Sequence, residues 1–322
     1  LSLEAGVALL TSQGVRERGV TDGPELRRFV ELADGHPLLL NLAAGLLLDE
    51  EGDEPDIRAL KRGEVNLYQL VGLHRGDPEA SVETVLRASL SRLEPRLQTL
   101  LYHASVYRRP FNQLMAQVMI DHEQMSEKTL RALVKRSLLQ EQKQGGQWWF
   151  QFQPLVQRYL RQTADDQRQA HQQAIAWYGS QAQPLLGSVK AVALVPYLEA
   201  VHHLCELGHY AAAWSVMQRQ TDETFEYSSP GMFLQFKGSG TDRVTLRDLY
   251  SRLIAEWQPQ DRNEEIQRSD ALKAIGDVLQ FLDQRSDALS RYDEALGIYR
   301  DVGARLGEAN TLSGQGNVYR SL

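Results

Sequence analysis

The amino-acid sequence predicts a mainly α fold interrupted by one β-hairpin. Three observations carry that expectation. Apolar residues recur at helical spacing along most of the chain. The stretch Leu130–Leu160 breaks that rhythm with a strand, a turn and a second strand. Near the end, Leu272, Gly276, Asp277 and Val278 return as Leu312, Gly316, Asn317 and Val318, a period of 40 that marks repeated helical units.

The interrupted stretch organises the rest. Leu130, Leu133, Val134, Leu138 and Leu139 are spaced for one buried helix face running into a strand. Gln144-Gly145-Gly146-Gln147 is the expected turn, because glycine reaches positive φ at low cost. Trp148-Trp149-Phe150-Gln151-Phe152 reads as the return strand. Pro154 opens the next helix, where its missing N–H is harmless. A helix followed by a two-stranded wing is the back half of a winged helix, and a front half precedes it. Ser81 is expected to cap a helix carrying Val82, Val85, Leu86 and Leu90. Glu94-Pro95 separates it from a helix with Leu97, Leu100, Leu101 and Ala104. Phe111, Leu114 and Val118 mark a third helix, and Ser126 caps a fourth.

Upstream, residues 1 to about 48 read as three short helices. Leu3, Val7 and Leu10 share a face that Gly14 ends. Asp22-Gly23-Pro24 starts a second helix carrying Leu26, Phe29, Val30 and Ala33. Gly35 ends it and Pro37 begins the third. Leu38–Leu48 is apolar almost all round, so it should be buried. Glu50–Pro55 and Gly63–Pro78 read as linkers or covering loops.

Downstream of 162 the chain is polar and helical, with Ala170, Ala174, Trp177 and Tyr178 as a small-plus-aromatic stripe. Tyr197–Met217 reads as two antiparallel helices meeting at Leu207-Gly208, and Thr221–Gly240 as a loop or boundary. In the final unit Gly276, Ala288, Tyr292 and Ala295 hold the spacing of a tetratricopeptide pair. Small residues let two helices approach and the aromatic fills their groove; Gly316 opens a second, partial unit. A repeat buries its core against neighbours, so further units are expected in a longer protein.

The chain has 322 residues, 42% hydrophobic, enough for two or three domains with cores of their own. Its net charge of −7 argues against an overall nucleic-acid protein. The single cysteine, Cys205, excludes an internal disulfide and fits a reducing, cytoplasmic compartment. No apolar run approaches the ~20 residues that span a bilayer. The sequence lacks an initiator methionine and ends mid-pattern, which reads as a fragment of a longer protein.

The run RSLLQ…WWFQFQPLVQRYL resembles the end of the winged helix in STAND-type, NB-ARC-like bacterial signal-transduction ATPases. The upstream GHPLLL resembles the G-x-P motif of that family's small helical domain. The resemblance implies a small helical domain and linker over 1–74, a winged helix over 75–162, a helical connector with an atypical tetratricopeptide-like pair over 163–262, and tetratricopeptide repeats over 263–322. It implies cofactor contacts from Gly35, His36, Pro37 and Gln153. Pro37 would pack on the adenine. Gln153 stands where the family has a histidine that reads the β-phosphate of ADP. As an isolated tripeptide, Gly35-His36-Pro37 is read as a helix–helix turn; the winged helix that follows is what favours the functional reading.

A regulatory and sensor role follows from the same resemblance. The helical and winged-helix domains would close over ADP, ATP exchange would open the module and permit oligomerisation, and the repeats would hold a protein or peptide ligand. ADP or ATP with Mg would belong to the longer protein, with its upstream P-loop domain, and this chain alone would hold no cofactor. A phosphate-binding P-loop ends in Gly-Lys-Ser/Thr. Lys237-Gly238-Ser239-Gly240 is glycine-rich, but Thr241-Asp242 follows, so no catalytic residue is assigned.

Two further constellations are weighed. His202, Cys205 and His209 would share a face only on an unbroken helix, and Leu207-Gly208 breaks it, so packing is preferred to a metal. Lys128, Arg131, Lys135 and Arg136 would place cations on a DNA-recognition helix, but the wing tip carries no charge. A winged-helix transcriptional regulator and a repeat scaffold without a switch remain the alternatives.

Overall fold

The computed structural model describes residues 1–19, 23–51, 55–61, 66–74, 76–121, 123–182, 191–218 and 240–321. The chain is mainly α with one small antiparallel sheet. It forms two compact units, Leu1–Ala170 and His171–Leu322. Among the described residues no helix is long and apolar enough to cross a membrane.

The first unit begins with α1 (Leu3–Ser12), α2 (Pro24–Leu32) and α3 (Pro37–Glu51). Ser2 caps α1 by accepting from the Ala5 amide, and Gly14 follows at φ 92°. After α2, Asp34 and Gly35 both take positive φ, 50° and 61°, and the Gly35 amide returns to the Val30 carbonyl at 2.9 Å. That pattern closes the carbonyl end of a helix. α3 is buried as its sequence demands, with Leu39, Leu40, Leu42, Ala43 and Leu47 fully enclosed. A 3₁₀ turn (Ile57–Lys61) and α4 (Leu67–Leu73) complete this part.

The winged helix starts at α5 (Pro78–Ser91). Its cap is Asp77, which accepts from the Ala80 amide at 3.1 Å. The expected cap, Ser81, is buried one turn inside, because Pro78 fixes the first helical position earlier. α6 (Pro95–Ala104) follows, then α7 (Gln113–Val118), capped by Asn112, and α8 (Glu127–Lys135), capped by Ser126. Phe111 does not belong to α7. Its amide and carbonyl pair with those of Phe150 at 2.8 and 2.7 Å, adding a one-residue third rung to the wing. Leu114 is 54% exposed, so that helix face is not the buried one.

The wing itself is β1 (Gln140–Gln144) paired antiparallel with β2 (Gln147–Gln151), in a register from Gln140↔Gln151 to Gln144↔Gln147. Gly145 and Gly146 sit at φ 59° and 82°, the two-residue turn whose twist matches the strands. The Phe150 and Phe152 rings lie tilted against Phe111 at centroid distances of 6.2 and 5.8 Å. α9 (Pro154–Thr163) leaves the sheet.

α3 lies close against the turn after α8. A Cβ on Gly45 would fall 2.8 Å from the Arg136 Cα, and the Ser137 hydroxyl donates to the Asn41 carbonyl at 3.3 Å. The helical segment and the winged helix therefore share one core.

The second unit starts within α10 (Arg168–Gln181). α11 (Val195–Glu206) and α12 (Tyr210–Gln218) form an antiparallel pair turned at Gly208, φ 73°. The expected loop Thr221–Gly240 lies outside the described residues, except that Gly240 already begins α13 (Gly240–Glu256). α14 (Arg262–Phe281), α15 (Arg285–Asp301) and α16 (Arg305–Arg320) then stack in sequence. Their core joins Trp214, Tyr250, Trp257, Leu272, Tyr292, Tyr299 and Val318.

Candidate functional site

In the first unit, side chains of α1, α3, α8 and the wing surround an open cleft of about 1130 Å³. Gln13 and Asn41 line it from the helical segment, Lys128, Arg131 and Lys135 from α8, and Gln140, Gln151 and Gln153 from the wing. The surface is thus rich in carboxamides, with lysines at its rim. Carboxamides both donate and accept, so such a cleft can meet either charge or neutral polar groups.

Gln153 is placed by two elements at once. It ends the return strand and stands before Pro154 at the head of α9, with extended φ −69° and ψ 146°. Its carbonyl accepts from Gln157, but its side chain makes no capping bond. The half-buried carboxamide thus remains part of the cleft lining. The Asn41 Oδ1 is buried, with no hydrogen-bond partner among the described residues.

Arg131, the central cation on the candidate recognition helix, is engaged inside the domain. Its Nε donates to Glu141 at 2.8 Å, and its guanidinium lies 4.6 Å from the Trp148 ring centroid. A side chain tied this way to β1 and β2 holds the wing to α8. Lys128 and Lys135 stay exposed.

Gly35, His36 and Pro37 do not line the cleft. Gly35 is buried in its left-handed turn. His36 is half-buried, and its Nδ1 accepts from the Leu39 amide at 3.4 Å, a capping contact on α3. Pro37 is the exposed first residue of that helix. The local geometry is a helix–helix junction.

In the repeats, Tyr292 does more than fill one groove. Its ring would meet a Cβ on Gly276 of α14 at 2.6 Å and one on Gly314 of α16 at 3.0 Å. Its hydroxyl donates to Asp277 at 2.7 Å. Ala288 and Ala295 are fully buried beside it on α15. Tyr299 repeats the arrangement one turn pair later, packing on Gly307 and donating to Asp270 at 2.5 Å. Gly316 departs from the expected packing role. Nothing lies within 4 Å of a Cβ there, because α16 turns Gly307 and Gly314, not Gly316, toward the tyrosines. Val318 is fully buried, because it faces the same inner side.

Cys205 is buried, and among the described residues no His, Cys, Asp or Glu cluster could hold a metal ion. His202 instead meets Arg252 at 2.9 Å. Sequence spacing missed a buried pair: His171 Nδ1 and His203 Nδ1 lie 2.9 Å apart, on α10 and α11. Thirty-two residues separate them, too far for any helical periodicity to join.

The comparisons with known proteins fall on the same wing. Residues 86–173 match the family model described as the MalT winged helix domain. This segment is a winged helix of the STAND type. No curated protein matches the chain. Among solved structures, a STAND protein with a tetratricopeptide repeat sensor from Pyrococcus horikoshii aligns at 13% identity and a TM-score of 0.46. The alignment covers 99% of this chain and 44% of that one. The chain thus spans less than half the length of that protein.

Proposed function

We propose that this chain is the regulatory and sensor portion of a nucleotide-switched signalling ATPase of the STAND type, joined in the longer protein to an upstream P-loop domain. The observation that carries the reading is the MalT-type winged helix packed with a small helical segment and accompanied by helical repeats. In this reading the cleft beside Gln153 meets the nucleotide phosphates when the ATPase domain is closed on ADP. The repeats hold the protein or peptide that triggers opening.

The cleft's chemistry fits an anion in part. Gln153 and Asn41 bring carboxamides and Lys128 and Lys135 positive charge, against the carboxylates of Glu127 and Glu141 in the same lining. The adenine end is not matched, because Gly35, His36 and Pro37 lie outside the cleft lining. Mg-bound ATP or ADP would supply the phosphates, and this chain's part is to hold or release them. A glutamine cannot become cationic as histidine can. A hydrogen bond to an anion is worth about 1.5–3 kcal/mol, so the exchange weakens the closed state if it removes that bond.

The test uses the longer protein with its ATPase domain. Gln153→His should slow ADP release and lower basal oligomerisation, and Gln153→Ala should do the reverse. If both variants release ADP at the wild-type rate, Gln153 does not read the nucleotide. Calorimetry of this chain alone with Mg-ATP should show no binding at micromolar concentration, and tight binding would overturn the division of labour.

The DNA-binding alternative is not favoured. Arg131 is committed to Glu141 and Trp148, and the glycine tip of the wing carries no cation.

A further inference from the structure

α10 holds His203 of α11 from two levels. The His203 side chain is fully buried. His171 meets it with the two Nδ1 atoms 2.9 Å apart, and Tyr178, two turns along α10, stacks on it at a centroid distance of 5.8 Å. His171, Ala174 and Tyr178 share one face of α10 at helical spacing, and all three are buried.

The chemistry of the pair limits the protons it can carry. An N–H···N bond needs one donor and one acceptor, so a single hydrogen lies between the two nitrogens. With both imidazoles neutral, one ring bears its hydrogen on Nδ1 and the other on Nε2. A first added proton leaves the bond in place, as imidazolium to imidazole. A second puts a hydrogen on both facing nitrogens, and two N–H groups cannot share 2.9 Å. Histidines set apart have no such limit, and both charge below their ordinary pKa of about 6.5. In acid the contact therefore binds at least one proton fewer than the two separated rings.

The surrounding groups do not lift that limit. On α11, the His202 ring lies 5.1 Å from His203, Glu199 stands one turn earlier and is 1% exposed, and Cys205 and Glu206 follow. From α13, Arg252 donates to His202 Nδ1 at 2.9 Å and to Glu206 at 2.8 Å, with Glu256 at 3.6 Å. Tyr210 of α12 donates to Glu256 at 3.2 Å. A nearby carboxylate favours the first proton and a nearby arginine opposes it. Neither makes room for the second.

We propose that the His171–His203 contact is a proton-sensitive latch, which holds α10 on α11 at neutral pH and releases α10 when the pair takes its second proton. The latch is complete above about pH 6.5 and is lost as pH falls below that value. It stands at the start of the second unit. It needs neither nucleotide nor partner, so it stands or falls apart from the regulatory reading.

Hydrogen exchange on the full chain reads the latch. The protection factor of α10, corrected for intrinsic exchange, should fall between pH 7.5 and 5.5. One unmatched proton changes an opening equilibrium about tenfold over that range. In His171→Gln a carboxamide can bond His203 in either protonation state, and the opened form takes up one proton fewer. The wild-type fall should therefore exceed that of His171→Gln by about tenfold. His203→Gln, on the other helix, should behave like His171→Gln. His209→Gln, at an exposed histidine in the turn after α11, should keep the wild-type response. Circular dichroism at pH 7.5 checks that the variants are folded. The same fall in wild type and in both pair variants overturns the proposal. Imidazole nitrogen NMR of the wild type needs no variant: at pH 7.5 one ring of the pair should carry its hydrogen on Nδ1. Two doubly protonated rings at pH 5.5, with α10 still protected, would also overturn it.

Discussion

Gly45 of α3 and Arg136 after α8 meet backbone to backbone: a Cβ on the glycine would fall 2.8 Å from the arginine Cα and 2.9 Å from its carbonyl oxygen. Backbone cannot swing aside as a side-chain tip can. Gly45→Ala should therefore cost about 1–2 kcal/mol, the overpacking penalty less the helix propensity that alanine gains. Gly316→Ala is the matched control, because nothing lies near a Cβ there. It should stabilise by about 0.5–1 kcal/mol. Urea midpoints of the two variants should move in opposite directions.

Tyr292 separates packing from hydrogen bonding. Tyr292→Phe keeps the ring between Gly276 and Gly314 and removes the hydroxyl's bonds to Asp277, which retains Lys273 at 2.8 Å, and to Gln280 at 3.3 Å. The loss should be about 1 kcal/mol. Tyr292→Ala empties a fully buried site and should cost about 3–5 kcal/mol. A near-equal effect of the two variants in chemical denaturation would refute the packing role.

Asp270 carries the opposite lesson. Burial pushes its carboxyl above the usual range, against the Tyr299 hydroxyl and Lys273, which pull it down. A raised folded pKa means that the fold disfavours the ionised form. Stability is reduced at neutral pH and recovers as pH falls through the folded pKa. Asp270→Asn keeps an acceptor for Tyr299, and Asn310 already stands at this place in the next unit. The variant should unfold at higher urea than wild type at pH 7, and the gap should narrow on acidification.

Asp56 behaves in the reverse sense. Arg58 holds its carboxyl down to about 2 through paired hydrogen bonds of 2.9 and 2.5 Å. A depressed folded pKa gives stability that is complete above the unfolded value, ~3.9, and is lost as pH falls through about 2. Because Arg58 is 38% exposed, the contribution should stay below about 1 kcal/mol. Asp56→Asn should lower stability slightly at pH 7, and the difference should fade as pH falls through about 2.

The helices and the wing were legible because periodicity, proline starts and the glycine pair all agreed locally. The cap of α5 was misread because Asp77-Pro78 and Ser81 are both good starts, and Pro78 fixes φ earlier. Phe111 looked helical because a single bridged residue has no periodicity of its own. In the candidate site, Gln153 could be found from its place at a strand end before proline. Asn41, Gln13 and the His171–His203 pair could not, since tertiary packing alone brings them to their neighbours. The choice between Gly314 and Gly316 depended on which way α16 is rotated. A helix with three glycines does not declare that from sequence.

The Tyr292 ring has a mechanical consequence. It is wedged between helices that are not consecutive, α14 and α16, while belonging to the one between them. Peeling α16 away strips one whole side of that ring and uncovers Tyr299 as well. The end of the repeat should therefore not fray turn by turn. Under load it should yield in one step that takes α15 along with α16, and anything gripping α16 would pull directly on the residues around Asp277.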